Sequence, residues 1–166
     1  MTFDEFIEHW ATIYKPIQHQ KNNAKRERFF YVEGYMGVAN FMQTIALSEG
    51  PVILYETHMN GNIGQIDSEN HTIYCAMRAE RQGDSRAARA AIREAKRHLK
   101  AFWNYCGEQK RKYRNAALDG ITTDDTLSFQ SEGPFHDGWY VVYIEVEQHL
   151  QTNICVDPND YIEESE

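Results

Sequence analysis

Three adjacent side chains, Glu56, Thr57 and His58, carry the functional groups of a catalytic site. They follow an apolar run over residues 51–55, which predicts a buried strand that ends in a carboxylate, a hydroxyl and an imidazole. Because successive side chains of a strand point to opposite faces, Glu56 and His58 share one face and Thr57 lies on the other. A compact triad would need a further element, such as His71 on the next strand. The alternative is that Glu56 and His58 have a structural position only, at the exposed or inter-subunit end of a buried strand.

Two further carboxylates, Glu145 and Glu147, lie on one face of a predicted strand, about 7 Å apart. That separation would allow a divalent cation or a glycosidase-like pair. A metal-dependent hydrolase or nuclease would combine them with Glu56 and His58. The same alternation of charged and apolar residues is typical of a solvated sheet face, which is the interpretation that we prefer.

Motifs of several enzyme classes do not occur in the chain. It contains no GxxxxGK[ST] phosphate loop, no GxGxxG, no HExxH and no GxSxG. The seven histidines are scattered, and none lies two, three or four residues from another. Cys75, Cys106 and Cys155 form no CxxC pair, so we expect reduced thiols in the core. We therefore expect no catalytic residue, no cofactor and no metal ion.

Hydrophobic periodicity predicts an α+β fold in which an antiparallel β-sheet packs against a long α-helix, with additional N-terminal helices. The expected order is α–α–β–β–α–β–β. Helices are predicted over 3–14, over roughly 35–47, and from the cap at Gly83-Asp84-Ser85 to Tyr105 or Tyr113. Strands are predicted over 52–58, 71–79, 126–130 and 139–149, with an extended or irregular segment near 29–32. We interpret residues 1–166 as a single domain with a basic loop over 15–28 and an acidic tail over 157–166.

Charge is strongly segregated along the chain, whose net charge is −8. Residues 81–114 contain eleven Lys or Arg and three Asp or Glu, a net charge of +8, whereas residues 115–166 contain twelve Asp or Glu and no Lys or Arg. One interpretation is a solvated basic helix beside an acidic sheet edge. We predict instead that the basic surface of one copy contacts the acidic surface of the next. The candidate interface residues are Arg86, Arg89, Arg93, Lys96, Arg97, Lys100, Glu145, Glu147, Asp157 and Asp160.

Several loose cues follow one another in a fixed order. A basic segment ends in Arg28-Phe29-Phe30, and the strand GPVILYE runs from Gly50 to Glu56. A second strand over 73–77 precedes a long helix with an Ala- and Arg-rich start, and Asp137-Gly138-Trp139-Tyr140 opens a late strand. In this order of elements the chain resembles small head–tail joining proteins of tailed phages, in particular tail-terminator-like and tail-completion ring proteins.

The resemblance implies a structural virion protein, made in the host cytoplasm, without catalytic residues. Such proteins form homo-oligomeric rings, six-fold or twelve-fold, that contact connector and tail proteins while DNA passes through the lumen without sequence-specific binding. Segregated charge suits a ring, which needs two different complementary patches on each subunit. The alternatives are a non-catalytic adaptor or regulatory binding protein, and the metal-dependent hydrolase. No membrane partner is expected, because no apolar run approaches the ~20 residues that span a bilayer.

Overall fold

Five strands form one sheet with helices packed on both of its faces. The computed structural model describes residues 1–44, 50–60, 66–123 and 127–151. The predicted α+β class, with a long helix on the sheet, is confirmed. The described elements are α1 (Phe3–Ile13), β1 (Phe29–Tyr31), α2 (Gly34–Thr44), β2 (Val52–Asn60), β3 (Ile66–Arg78), α3 (Ser85–Glu108), β4 (Gln130–Glu132) and β5 (Trp139–Gln151).

The strand order in the sheet is β1-β2-β3-β5-β4. The β2/β3, β3/β5 and β4/β5 pairs are antiparallel, as predicted, but β1 pairs with β2 in parallel, so the sheet is mixed. The predicted strand over 126–130 is displaced, because pairing with β5 begins only at Gln130. Residues 15–28 contain no helix or strand, whereas the acidic tail lies outside the described residues.

One face of the sheet packs against α1 and α3. Leu99 and Phe102 of α3 are buried together with Phe6 of α1 and with Ile73 and Ile144 of the central strands. Burying such aliphatic and aromatic side chains is the main source of stability for this packing. The helical periodicity of α3 predicts a core stripe, and most of it is buried, together with Ala91 and His98, whereas Ala88 and Ile92 are only half-buried. The predicted stripe is Ala88, Ile92, Ala95, Leu99, Phe102 and Cys106.

The second face of the sheet is covered only in part. Val38 and Met42 of α2 pack on Leu54, Trp139 and Val141. The alternation in β5 predicts that residues 140, 142, 144 and 146 form its core face, but α2 also buries the start of the opposite face, at Trp139 and Val141. Farther along β5, the side chains of this second face are exposed to solvent.

A close backbone approach holds residues 115–121 against β5. Gly120 has a φ of +78°, and a Cβ atom at this position would lie 1.9 Å from the carbonyl oxygen of His149. The carbonyl oxygen of Gly120 accepts a hydrogen bond of 3.1 Å from the backbone N–H of His149. Only glycine suits both the left-handed backbone and the lack of space. The neighbouring carbonyl of Asp119 is thereby fixed beside β5.

Two of the three cysteines lie in the described core. Cys75 and Cys106 are buried free thiols, as predicted, and burial raises the pKa of both. Cys155 lies outside the described residues. None of the described helices combines the length and the apolar character that crossing a bilayer requires.

Candidate functional site

The polar end of β2 points to both faces of the sheet. Glu56 lies on the α2 side and is only 4% exposed. Its carboxylate accepts a hydrogen bond of 2.6 Å from the backbone N–H of Gly34 and one of 2.8 Å from the hydroxyl of Tyr74. The predicted exposed or inter-subunit position is therefore wrong for Glu56, because the N-terminal turn of α2 covers it. The side chain of His58 lies outside the described set.

Thr57 lies on the opposite face, among groups from three strands. Its hydroxyl donates to the hydroxyl oxygen of Tyr55 and is 3.3 Å from Nδ1 of His71. The hydroxyl of Tyr55 is 2.8 Å from the same nitrogen, and Nε2 of His71 is 3.1 Å from Oε1 of Gln148. The predicted separation of Thr57 from Glu56 is confirmed, and His71 contacts Thr57 rather than Glu56.

The direction of these hydrogen bonds follows from the last link. The amide Nε2 of Gln148 donates to the carbonyl oxygen of Asp119 at 2.7 Å, and a carbonyl can only accept. The amide oxygen of Gln148 therefore faces His71, so Nε2 of the neutral imidazole carries the proton and Nδ1 accepts. Tyr55 then donates to Nδ1, and Thr57 donates to Tyr55. Each hydrogen bond of this network therefore has its donor on the Thr57 side and its acceptor on the Asp119 side.

Burial sets the ionisation of this network. His71 is 1% exposed, and burial lowers the pKa of its imidazole although the hydrogen bond with Gln148 opposes the shift. Burial also raises the pKa of Tyr55 to about 12. Both groups are therefore neutral near pH 7. Because Tyr55 already occupies Nδ1, the imidazole is engaged rather than poised as a general base for Thr57.

An open cleft of about 600 Å³ borders this network. It lies where β1 ends, between the start of α1 and the polar ends of β2, β3 and β5. Its walls combine aromatic rings, carboxylates and the network hydroxyls. The lining residues are Met1, Thr2, Phe3, Asp4, Tyr31, Val32, Glu33, Tyr55, Thr57, Glu69, His71, Ala116, Ala117 and Gln148.

Asp4 is the best-fixed carboxylate of the cleft. It accepts a hydrogen bond of 2.8 Å from the hydroxyl of Tyr31 and a further one from the hydroxyl of Thr2. Partial burial alone would raise the pKa of Asp4, but these hydrogen bonds outweigh it and hold the pKa below its usual range. Burial and the bond to Asp4 raise the pKa of Tyr31. Asp4 is thus an anion and Tyr31 a neutral donor at neutral pH.

The four residues of the hypothetical metal site are not brought together as a ligand set. Thr72 lies between Glu56 and Glu145 in the cross-strand register, so two strand spacings, about 10 Å, separate the two carboxylates along the sheet. Glu56 is buried under α2, whereas Glu145 and Glu147 are exposed. The described residues contain no cluster of three or more His, Cys, Asp or Glu side chains that could hold a metal ion.

The predicted charged surfaces are placed on opposite sides of the molecule. Val142, Ile144 and Val146 of β5 face α3, so Glu145 and Glu147 project from the other face of the sheet. The six basic side chains are exposed on the outer side of α3. We call them the basic surface: Arg86, Arg89, Arg93, Lys96, Arg97 and Lys100. Glu145 and Glu147 form the acidic surface, whereas Asp157 and Asp160 lie outside the described residues.

Two members of the basic surface have partners within the chain. The guanidinium Nε of Arg97 lies 3.0 Å from the carboxylate of Glu94, and the ammonium group of Lys96 lies 4.7 Å from the ring centroid of Phe129. Among the described residues, the other four have no carboxylate within 4 Å. Within the described part of the chain, most of the charge of the basic surface is thus not paired with a carboxylate.

The cleft was only partly predictable. Thr57 and His71 were named as candidates from their residue types, but Tyr55, Gln148 and Asp4 were not. One signal did exist: the apolar face of β5 continues with period two from Val146 to a glutamine, which is a polar residue in a core position. A buried glutamine needs hydrogen-bond partners, so it indicates a polar network.

The chain matches no protein-family model, and no curated protein matches it significantly.

Proposed function

We propose that this chain is a structural subunit of a homo-oligomeric ring at the head–tail junction or tail end of a tailed phage. The observation that carries the proposal is the separation of two oppositely charged surfaces across one sheet. The basic surface faces outward from α3, and the acidic surface projects from the opposite face. The resemblance of the order of elements to phage ring proteins supports the virion assignment.

The placement of the two surfaces favours head-to-tail association. A two-fold dimer buries the same patch of both subunits, which would bring basic side chains against basic side chains. A contact between two different patches avoids this repulsion, and it closes into a ring when the rotation between neighbours divides a full turn. Like-charge repulsion thus acts against the two-fold arrangement, and opposite charge stabilises the heterologous one.

The strength of such a contact should depend on salt. A single exposed ion pair contributes only about 0.2–1 kcal/mol, so the ring needs several pairs together with buried apolar contacts. The screening length falls from roughly 8 Å at physiological ionic strength to roughly 3 Å at 1 M salt. Subunits should therefore dissociate in high salt unless connector and tail proteins hold them.

Light scattering coupled to size-exclusion chromatography tests the proposal, alone and with phage connector and tail-tube proteins. We expect a ring-sized particle in low salt or with these partners, and negative-stain images with a central pore. A chain that stays monomeric with both partners present would contradict the ring. A stable 1:1 complex with one cellular protein would support the adaptor alternative instead.

A charge-reversal variant locates the interface. Arg89→Glu, Arg93→Glu and Lys96→Glu together should leave the fold intact, because these side chains are exposed, and should prevent assembly. A matched control changes net charge equally outside the basic surface, by Arg81→Glu, Arg111→Glu and Lys112→Glu. If both variants assemble like the parent chain, the charged surfaces do not form the interface.

A further inference from the structure

The cleft beside the Thr57–His71 network has the chemistry of a binding site and is separate from the ring contacts. None of its lining residues belongs to the basic or the acidic surface. Its volume of about 600 Å³ is in the range of small-molecule sites, roughly 300–1,000 Å³. A ligand there would therefore contact neither of the two described charged surfaces.

The hydrogen-bond directions show what the cleft can offer. Thr57, Tyr55, His71 and Gln148 each donate a hydrogen bond to the next group, and the series ends at the carbonyl oxygen of Asp119. The hydroxyl protons of Thr57 and Tyr55 are therefore engaged within the protein. The oxygen of the exposed Thr57 retains acceptor capacity on the cleft side. At Thr57, its exposed end, the network thus presents an acceptor to a ligand.

Carboxylates outnumber positive groups among the other polar groups of the cleft. Asp4, Glu33 and Glu69 supply carboxylate oxygens, whereas the one positive group among the described lining residues is the α-ammonium of Met1, which lies 3.8 Å from the carboxylate of Glu5. The hydroxyl of Tyr31 is used by Asp4. Glu69 lies 3.8 Å from Nε2 of His71, which donates to Gln148 instead. The excess of carboxylates favours a ligand that donates hydrogen bonds and carries positive charge.

The aromatic lining fits the same ligand. Phe3, Tyr31 and Tyr55 line the cleft, and the rings of Tyr31 and Tyr55 are nearly perpendicular, with centroids 5.9 Å apart. Aromatic faces attract ammonium groups and also bury aliphatic carbon. An acidic cluster alone would suit many cations, including hydrated metal ions. Carboxylates, aromatic rings and the acceptor oxygen of Thr57 together favour an organic cation.

We propose that this cleft binds a small aliphatic amine through its primary ammonium group. The ammonium group donates to the carboxylates of Asp4 and Glu69 and to Thr57, and the alkyl chain packs against Phe3 and Tyr31. Three probes of nearly equal size show whether charge or shape determines binding. They are n-butylammonium, which is positive, n-butanol, which is neutral, and butyrate, which is negative.

Nuclear magnetic resonance titration of the full chain tests the proposal. We expect n-butylammonium to shift the amide signals of Thr57, Glu69 and His71 saturably, with a Kd at least tenfold below that of n-butanol. Butyrate should leave these signals unchanged. Equal binding of n-butanol and n-butylammonium would overturn the proposal, and so would shifts that spread without saturation to Glu145 and Glu147.

Matched substitutions assign the contact. Glu69→Gln removes a carboxylate whose described contact is limited to His71, so it should weaken n-butylammonium about tenfold while keeping the fold. Asp4→Asn should have a similar effect, with circular dichroism showing that α1 is intact. Glu80→Gln neutralises an exposed carboxylate outside the cleft and should change nothing. Equal affinity in Glu69→Gln and Glu80→Gln would overturn the assignment.

Discussion

Glu56 and Thr57 are neighbours in the sequence, but they lie in two different environments. Glu56 is buried against the start of α2, where the backbone N–H of Gly34 and the hydroxyl of Tyr74 donate to it. Thr57 is exposed at the edge of a cleft, where its hydroxyl is the outer end of a buried chain of hydrogen bonds. The carboxylate of Glu56 therefore stabilises the fold, whereas the hydroxyl of Thr57 borders the open cleft.

The difference shows that residue type is a weak guide to chemistry until both faces of a strand are known. A carboxylate at a strand end resembles a catalytic acid, yet the contacts of Glu56 join α2 to the sheet. Substitutions on the two faces of β2 should therefore have different consequences. On the Glu56 face they should lower the free energy of unfolding, and on the Thr57 face they should disturb the residues that line the cleft.

The largest effect is expected at the loop that supports the Thr57 side. Gly120→Ala should destabilise the chain by about 4 kcal/mol, because a positive φ is costly and the new Cβ would overlap the carbonyl of His149. Gly83→Ala is the matched control. Its φ is +81° but no atom lies within 4 Å of the added Cβ, so we expect about 1 kcal/mol. Urea unfolding measures both, and similar losses would show that the close approach is unimportant.

On the other side of β2, Glu56→Ala should cost about 2 kcal/mol, because it removes the acceptor of the half-buried donors of Gly34 and Tyr74. Thr57→Ala should cost about 1 kcal/mol, since its hydroxyl is at the exposed end of the network. The same unfolding measurement applies. If Thr57→Ala proves the more damaging, the assignment of the structural and the open side is reversed.

A pH titration of stability sharpens the comparison. Because burial lowers the pKa of His71 in the folded chain, the unfolded chain binds a proton more readily below about pH 6.5. Stability should fall as pH decreases from about 6.5 to 5, with a slope of up to ~1.4 kcal/mol per pH unit from this group. Burial lowers the pKa of His98 as well, so it adds a loss of the same sign.

His71→Gln should remove one part of this pH dependence, whereas His149→Gln, at an exposed position, is the control. Denaturant unfolding at several pH values measures the slopes. An unchanged slope in His71→Gln would show that the imidazole is not held neutral by the network.

The sequence patterns predicted the parts of the fold that depend on long periodic segments. The alternation in β2, β3 and β5 and the apolar stripe of α3 follow from periods of two and 3.6 residues. The strands β1 and β4 have three residues each and form because a longer strand pairs with them. The sequence predicts an extended or irregular segment near residues 29–32, where β1 lies, but no local pattern shows which strand it pairs with.

The candidate site was harder to predict, because its groups come from separate segments. The burial of Glu56 depends on Gly34, which is 22 residues away in the chain. The role of His71 depends on Gln148, which is 77 residues away, and on the carbonyl held by Gly120. Such contacts are set by tertiary packing. The segregation of charge, in contrast, is visible in the sequence, and the structure places the described part of it on opposite faces.

Mixing two opposite charge-reversal variants tests the central claim most directly. One variant carries Arg89→Glu, Arg93→Glu and Lys96→Glu, and the other carries Glu145→Arg and Glu147→Arg. All five positions are exposed, so each variant should fold, with a loss of stability of at most about 2 kcal/mol, part of it from the contact of Lys96 with Phe129. The measurement is the particle mass by light scattering, for each variant alone and for the equimolar mixture.

Head-to-tail association predicts that neither variant assembles alone, because like charges then face each other at every contact. In the mixture the two variants alternate around the ring, every contact again joins opposite charges, and the mass of the parent assembly returns. A mixture that stays monomeric, while the parent chain forms rings, would contradict the account.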